Sequence, residues 1–167
     1  LCRAAIELDA EYARAWALMA TAQRMRLYAT GDGDDGSLAA TRAIELDGNL
    51  AEAHAAKAGI LAAAGDYAAA RTELDTAVRL DGDSVDVHRE AARLCFHEHR
   101  FEDAIRHWER VSTLVETDYA TGPLLITCYT ALGDQEGLHR VAERTMARAE
   151  KVVSSEPDNG SAMGTVV

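Results

Sequence analysis

The sequence has little proline, few aromatic residues and no long apolar run. Its 167 residues include two prolines and 5% aromatic residues, beside abundant alanine, leucine, glutamate and arginine. These residue types favour helix over strand. No apolar run reaches the roughly 18 residues that a membrane-spanning helix needs. The composition therefore predicts an all-α protein with no membrane partner.

Cysteine is also scarce, and its spacing is uninformative. Cys2, Cys95 and Cys128 are far apart and odd in number, which indicates neither a disulfide framework nor a zinc site. We expect reduced, mostly buried thiols. Because the chain opens without a basic, apolar leader, we expect a cytoplasmic protein. Leu1 already lies inside a helical pattern, so the possibility that a targeting segment was removed stays open.

Basic residues are outnumbered, with 17 against 28 acidic residues and a formal net charge of −11. Such a surface repels a phosphate backbone, so no nucleic acid and no anionic membrane are expected as partners. It suits cationic partners, although acidity also serves general solubility.

The sequence repeats itself at a shift of 34 residues, and several independent columns agree. The aligned sets are Leu46, Leu80 and Leu114; Gly65, His99 and Gly133; His54 and His88; Tyr67 and Phe101; and Ala70 and Ala104. Apolar residues recur at helical spacing in each unit, and a tight turn such as Gly65-Asp66 divides it into two helices. The pattern predicts antiparallel helical hairpins stacked as a right-handed α-solenoid.

The best-preserved unit carries small, turn and packing residues at the positions of a known repeat. These residues are Ala58, Gly65, Asp66, Tyr67, Ala70, Ala77 and Leu80, with Trp16 in the preceding hairpin. In this the chain resembles the tetratricopeptide repeat family, as about four hairpins of a longer bacterial-type repeat protein. Small residues let the helices of a hairpin approach closely. His54, His88 and Gly122 replace the family's tryptophan and His99 replaces the turn glycine, so looser interfaces are expected there.

We predict one solenoid fragment. It comprises a partial repeat at 1–9, repeats at about 12–50, 51–84, 85–118 and 119–157, and the start of a further helix at 161–167. The first repeat is longer because of an enlarged turn from Thr30 to Gly36, and Pro123 fits the first turn of its helix. Asn49 and Asp83 are candidate caps for the helices that follow them.

Candidate catalytic and metal sites are weak. Asp32, Asp34 and Asp35 lack the spacing of a calcium loop and read as a solvated turn. His97, His99 and His107 are close in sequence, but His97 and His99 would point in different directions on a helix. Cys95 falls on a packing face without a catalytic partner. We therefore predict no enzymatic activity, no metal and no cofactor.

The resemblance implies that the first helix of each hairpin lines a concave groove that holds a peptide or helical segment of a partner protein. Helical spacing then selects the candidate groove residues Arg14, Leu18, Thr21, Arg24, Met25, Glu52, Ala56, Gly59, Arg89, Arg93, Phe96 and His97. The second unit offers a nearly bare alanine and glycine floor that a partner backbone could approach. The arginines would form a positive strip, which favours a segment with acidic and apolar residues.

Two alternatives remain open. The chain could associate with itself as a homo-oligomer through uncapped ends, or serve as a sensor segment of a larger signalling or transcription-regulatory protein. Some family members hold a chaperone's terminal carboxylate with lysines and asparagines, but this chain has other residues at most of those places.

Overall fold

The computed structural model describes residues 1–166, and all regular structure within that range is α-helical. Residues 1–166 form ten helices: α1 (Cys2–Leu8), α2 (Ala13–Thr30), α3 (Ser37–Leu46), α4 (Ala51–Ala63), α5 (Tyr67–Leu80), α6 (Val85–His97), α7 (Phe101–Leu114), α8 (Gly122–Leu132), α9 (Gln135–Ser155) and α10 (Gly160–Val166). The predicted all-α class is confirmed.

The chain divides into two compact units, Leu1–Leu94 and a second unit that begins at Cys95. In the first unit α2 pairs with α3 and α4 with α5, and in the second α8 pairs with α9. The assignment of all repeats to one solenoid stays a prediction.

The turns inside the hairpins adopt the left-handed conformation that the repeat predicts. Gly65 and Gly133 have φ angles of 86° and 72°, and His99, at the equivalent position, has 58°. Histidine therefore adopts the backbone conformation for which glycine is preferred elsewhere. Asp66 and Asp134 then cap α5 and α9 by accepting hydrogen bonds from backbone N–H groups three residues on.

The turn before α4 differs from the expectation, whereas the predicted capping role of Asp83 stays a prediction. Asn49 does not cap α4, which begins after Leu50 without a side-chain cap. Instead the backbone N–H of Asn49 donates to Asp47, and that of Asp83 donates to Asp81. The aspartate that ends each preceding helix thus folds the turn, as an aspartate does when it bonds the backbone two residues ahead.

The replacement of tryptophan by histidine preserves one hydrogen bond in three successive repeats. In each, a ring nitrogen donates to the backbone carbonyl six residues earlier: Trp16 Nε1 to Ala10 at 2.9 Å, His54 Nε2 to Gly48 at 3.1 Å and His88 Nε2 to Gly82 at 2.9 Å. These histidines keep the tryptophan's role as a donor to the linker, so the expected loosening does not extend to this bond.

Alanine dominates the first unit's core. Ala20, Ala40, Ala43, Ala70 and Ala77 are fully buried. Side chains this small allow close approach of neighbouring helices, as the repeat pattern predicts.

The enlarged turn of the first repeat is a longer α2 followed by a loop at 31–36. Helix α2 has 18 residues against 13 in α4. Gly36 ends the loop at a φ of 89°, where an added Cβ would collide with the carbonyl oxygen of Ala20. Only glycine fits this position without a shift of the backbone.

In the second unit, close contacts set the pairing of α8 and α9. An added Cβ on Gly122 would overlap Thr145, and one on Gly137 would overlap the Tyr129 ring. Pro123 lies in the first turn of α8, as predicted. Helix α9 continues for 21 residues before it ends at Glu156.

Candidate functional site

A partly apolar stripe runs along α2 on one face of the first unit. Leu18 and Met25 are 50% and 53% exposed, and Thr21 lies between them half-buried. Tyr28 extends the stripe and is 94% exposed. Sequence reasoning missed Tyr28, although it continues the helical spacing of 18, 21 and 25. Arg14 lies at the other end, with Nη2 2.8 Å from Glu52 Oε1 of α4.

The floor that α4 supplies is covered by the chain itself. Ala56 is 2% exposed and Gly59 is buried, so neither presents an open surface to a partner backbone. An added Cβ on Gly59 would lie 2.5 Å from Glu90 Oε2 and 3.0 Å from the Arg24 guanidinium. The expectation of a bare floor is therefore corrected, since the missing side chain at Gly59 makes room for these two residues.

Arg24 and Arg93 share one carboxylate above Gly59. Arg24 Nη2 lies 2.6 Å from Glu90 Oε1, and Arg93 Nη1 lies 2.5 Å from the same oxygen. The side chains of Arg24 and Glu90 are 15% and 7% exposed, whereas that of Arg93 is 36% exposed. This cluster ties α2 to α6 across α4. Arg24 consequently acts in packing, and Arg93 presents the accessible charge.

The predicted positive strip is weaker than the arginine count suggests. Arg89 Nη1 is 3.9 Å from Asp86 Oδ1, and its side chain is 37% exposed. The four candidate arginines thus face the carboxylates of Glu52, Asp86 and Glu90, which leaves one net positive charge (4 − 3 = 1).

Two of the predicted residues belong to the second unit. Phe96 packs edge-on against Phe101, with ring centroids 5.7 Å apart, and is half-buried. His97 is exposed beside it. Phe96 therefore helps to hold the turn into α7, and its place in a groove stays a prediction.

Each carboxylate of the aspartate-rich loop has at least one local polar partner. Both oxygens of Asp35 accept hydrogen bonds from Ser37, and these bonds lower the pKa of Asp35. Asp34 accepts from Gln23, and Asp32 lies 3.7 Å from Arg26. Across residues 1–166 no group of three histidine, cysteine or acidic side chains is arranged to hold a metal ion.

The cysteine chemistry is that of packing residues. Cys95 and Cys128 are buried and Cys2 is half-buried. Burial raises the pKa of Cys128 to about 11. Burial also raises the pKa of Cys95, although Arg100 donates to its sulfur at 2.9 Å and opposes that rise. Both thiols are therefore protonated at neutral pH and are poor nucleophiles.

Within the described part of the chain, no helix combines the length and apolar character needed to cross a membrane.

Comparison with known proteins agrees with this geometry. Residues 61–120 match the family model of the tetratricopeptide repeat. No sequence among the curated proteins matches the chain. Residues 61–120 therefore contain tetratricopeptide repeats, and the other hairpins share their fold. Such repeats generally mediate protein interactions and are typically non-catalytic.

Solved structures of the same fold cover nearly the whole chain. A MamA structure is 14% identical, with a TM-score of 0.65 over 93% of this chain and 82% of MamA. YrrB, described as a TPR protein with an unusual peptide-binding site, is 17% identical, with a TM-score of 0.52 over 99% of this chain and 80% of YrrB. Human IFIT1, solved as a dimer with m7Gppp-AAAA, is 17% identical, with a TM-score of 0.71 over 99% of this chain and 39% of IFIT1.

Proposed function

We propose that this chain is a non-catalytic interaction module that binds an amphipathic segment of a partner protein along α2. The observation that carries the proposal is the stripe of Leu18, Met25 and Tyr28, which leaves large apolar side chains half to almost fully exposed on one helix face. An exposed apolar row of this kind favours docking of a helix or an extended peptide.

The flanking charges specify the occupant's chemistry. Arg14 lies at the start of the stripe, and Arg89 and Arg93 expose more than a third of their side chains on α6. The expected occupant of the stripe is therefore a segment whose apolar residues contact Leu18 and Met25 and whose acidic residues lie near these arginines. Since most of the positive charge is already paired, burial of apolar surface contributes most of the affinity, and the salt dependence is small.

The net charge of −11 favours a protein partner over RNA, despite the nucleic-acid ligand in the IFIT1 structure. The cytoplasmic location, the homo-oligomer and the role as a sensor segment stay predictions.

A paired-variant capture experiment tests the proposal. Leu18→Glu together with Met25→Glu places charge in the stripe without touching the buried core, so the variant keeps its helicity and loses the partner segment. The matched control is Val78→Glu with Leu80→Glu on α5, whose side chains are 42% and 38% exposed. The purified chain is the bait for proteins of the native lysate, and captured proteins are identified by mass spectrometry. Segments of these proteins that carry acidic and apolar residues are then synthesised as peptides, and their binding to the purified chain is measured.

The expected result is a peptide that binds the parent and the α5 variant but not the α2 variant. Loss of binding in the α5 variant with retention in the α2 variant would move the site to the second helices of the hairpins. Reversal of Arg93 is a poor test, because it would place a second carboxylate beside buried Glu90.

A further inference from the structure

A cavity of about 420 Å³ lies on the opposite side of α2 from the apolar stripe. Its apolar lining comprises Ile6 of α1, Trp16 and Met19 of α2, and Leu38 and Ala39 of α3. Leu38 is 87% exposed, so the lining continues onto the surface. Positions 16 and 19 face away from positions 18 and 25 on a helix with 3.6 residues per turn. The cavity is therefore separate from the stripe.

The insertion that lengthens the first repeat forms one edge of the cavity. Asp34, Asp35 and Gly36 of the loop all line it. The loop cannot move far at its end, because Gly36 lies directly against the backbone of Ala20 and α3 begins at the next residue. The longer repeat thus supplies an acidic edge that is anchored at Gly36.

The charge of the lining is negative. Glu7, Asp34 and Asp35 contribute three carboxylates, and Arg3 contributes one guanidinium, which gives a net charge of −2 (1 − 3 = −2). Asp35 is held ionised by its hydrogen bonds from Ser37, and Asp34 accepts a single bond from Gln23 at 3.3 Å. Carboxylate oxygens with further acceptor capacity therefore border a cavity that also contains an indole ring.

We propose that this cavity binds a basic side chain of a partner peptide, with an adjacent apolar residue packed on Leu38. Carboxylates pair with guanidinium or ammonium groups, and tryptophan is the aromatic ring that attracts such cations most strongly. The volume falls within the range of ligand pockets and exceeds what one side chain fills, so the flanking residue also enters it. This second site therefore binds a basic residue, whereas the segment proposed for the α2 stripe carries acidic and apolar residues.

The probe is the blocked tripeptide acetyl-Leu-Arg-Leu-amide, followed by the indole N–H resonances in proton–nitrogen NMR spectra. The chain has two tryptophans, and Trp108 is 2% exposed in the other unit, so it is an internal reference. Binding shifts the Trp16 resonance saturably and leaves that of Trp108 unchanged. Comparison peptides carry citrulline or glutamate in place of arginine, and argininamide represents a free small cation.

The variant Glu7→Gln with Asp34→Asn removes two carboxylates while their shapes remain, and it weakens tripeptide binding by about tenfold. Asp32→Asn is the matched control, since Asp32 belongs to the same loop but does not line the cavity. It leaves the affinity unchanged. Circular dichroism checks that both variants keep the helical content of the parent.

Three results would overturn the proposal. Equal binding of the citrulline peptide would show that charge is not recognised, and a Trp16 resonance that never moves would place any binding elsewhere. Argininamide binding as tightly as the tripeptide would indicate a small-cation site rather than a peptide site.

Discussion

Arg24 and Glu90 are 66 positions apart in the sequence, yet Nη2 of the arginine donates to Oε1 of the glutamate at 2.6 Å. Both side chains are largely buried, at 15% and 7% exposure. The pair joins α2 to α6 above a glycine of the intervening helix. It belongs to the framework of the first unit rather than to its free surface.

Removal of one partner from this pair should strongly destabilise the fold. Glu90→Ala leaves Arg24 buried without its carboxylate, and we expect a loss of about 3 kcal/mol in the free energy of unfolding. The double variant Arg24→Met with Glu90→Met should lose less than the sum of its single changes. Urea unfolding followed by circular dichroism measures all of them. Asp86→Ala is the control, because that exposed carboxylate lies 3.9 Å from Arg89 and should contribute under about 1 kcal/mol.

Gly59→Ala is informative because helix propensity and the buried ion pair predict opposite changes in the stability of the protein. Glycine to alanine inside a helix ordinarily stabilises it by about 1 kcal/mol. Here the added Cβ would lie 2.5 Å from Glu90 Oε2, so Gly59→Ala should destabilise the parent protein by displacing the ion pair. The same change should become neutral or stabilising in the Glu90→Ala background. Stabilisation of the parent by Gly59→Ala would show that the side chains adjust without cost.

Glu73 should make the first unit sensitive to acid. Burial by itself would raise the pKa of Glu73, but Lys57 Nζ at 2.6 Å and His54 Nδ1 at 2.7 Å donate to the carboxylate, and the pKa is lowered overall. Its stabilising contribution is complete above the ordinary value of 4.5 and is lost as the pH falls through the lowered folded-state pKa. Glu73→Gln should therefore flatten the decline in unfolding free energy below about pH 4.5. Asp75→Asn, an exposed change on the same helix, should leave the decline unchanged.

Ala70 tests the close helix packing that the repeat predicts. Its side chain is fully buried in a cluster with Ala58, Leu74 and Leu94. Ala70→Leu should overpack this cluster and reduce the free energy of unfolding by about 1 to 3 kcal/mol. The neighbouring Ala68→Leu is an exposed control in the same helical turn and should change stability by less than about 0.5 kcal/mol. Equal stability of the Ala70 variant and the parent would mean that the packing face is wrong.

The fold could be predicted from the sequence because its determinants are local. The 34-residue period, the turns at Gly65 and Gly133 and the alanine positions follow from helix geometry and backbone conformation. His99 lies at the turn position of the period and adopts the left-handed conformation there, which histidine tolerates better than most residues other than glycine. The residue type of Asn49 permits a capping role, but its backbone N–H donates to Asp47, and this hydrogen bond closes the turn.

The surface could be predicted only in part, because the exposure of each residue depends on contacts between repeats. Helical spacing selected Leu18 and Met25, and both are exposed. It also selected Ala56 and Gly59, but spacing within one helix does not reveal that Arg24 and Glu90 would meet above them. That pairing requires knowledge of how α2, α4 and α6 are placed in the first unit.

Site-specific photo-crosslinking tests the central claim, that the α2 stripe is the partner-binding surface, most directly. A photoreactive phenylalanine derivative is placed singly at Leu18, Met25 or, as control, Val78, which is 42% exposed on α5. We expect positions 18 and 25 to crosslink to one segment of the same partner. This segment should carry apolar and acidic residues, and position 78 should give no such product. Crosslinks to the partner from position 78, with none from 18 or 25, would contradict it.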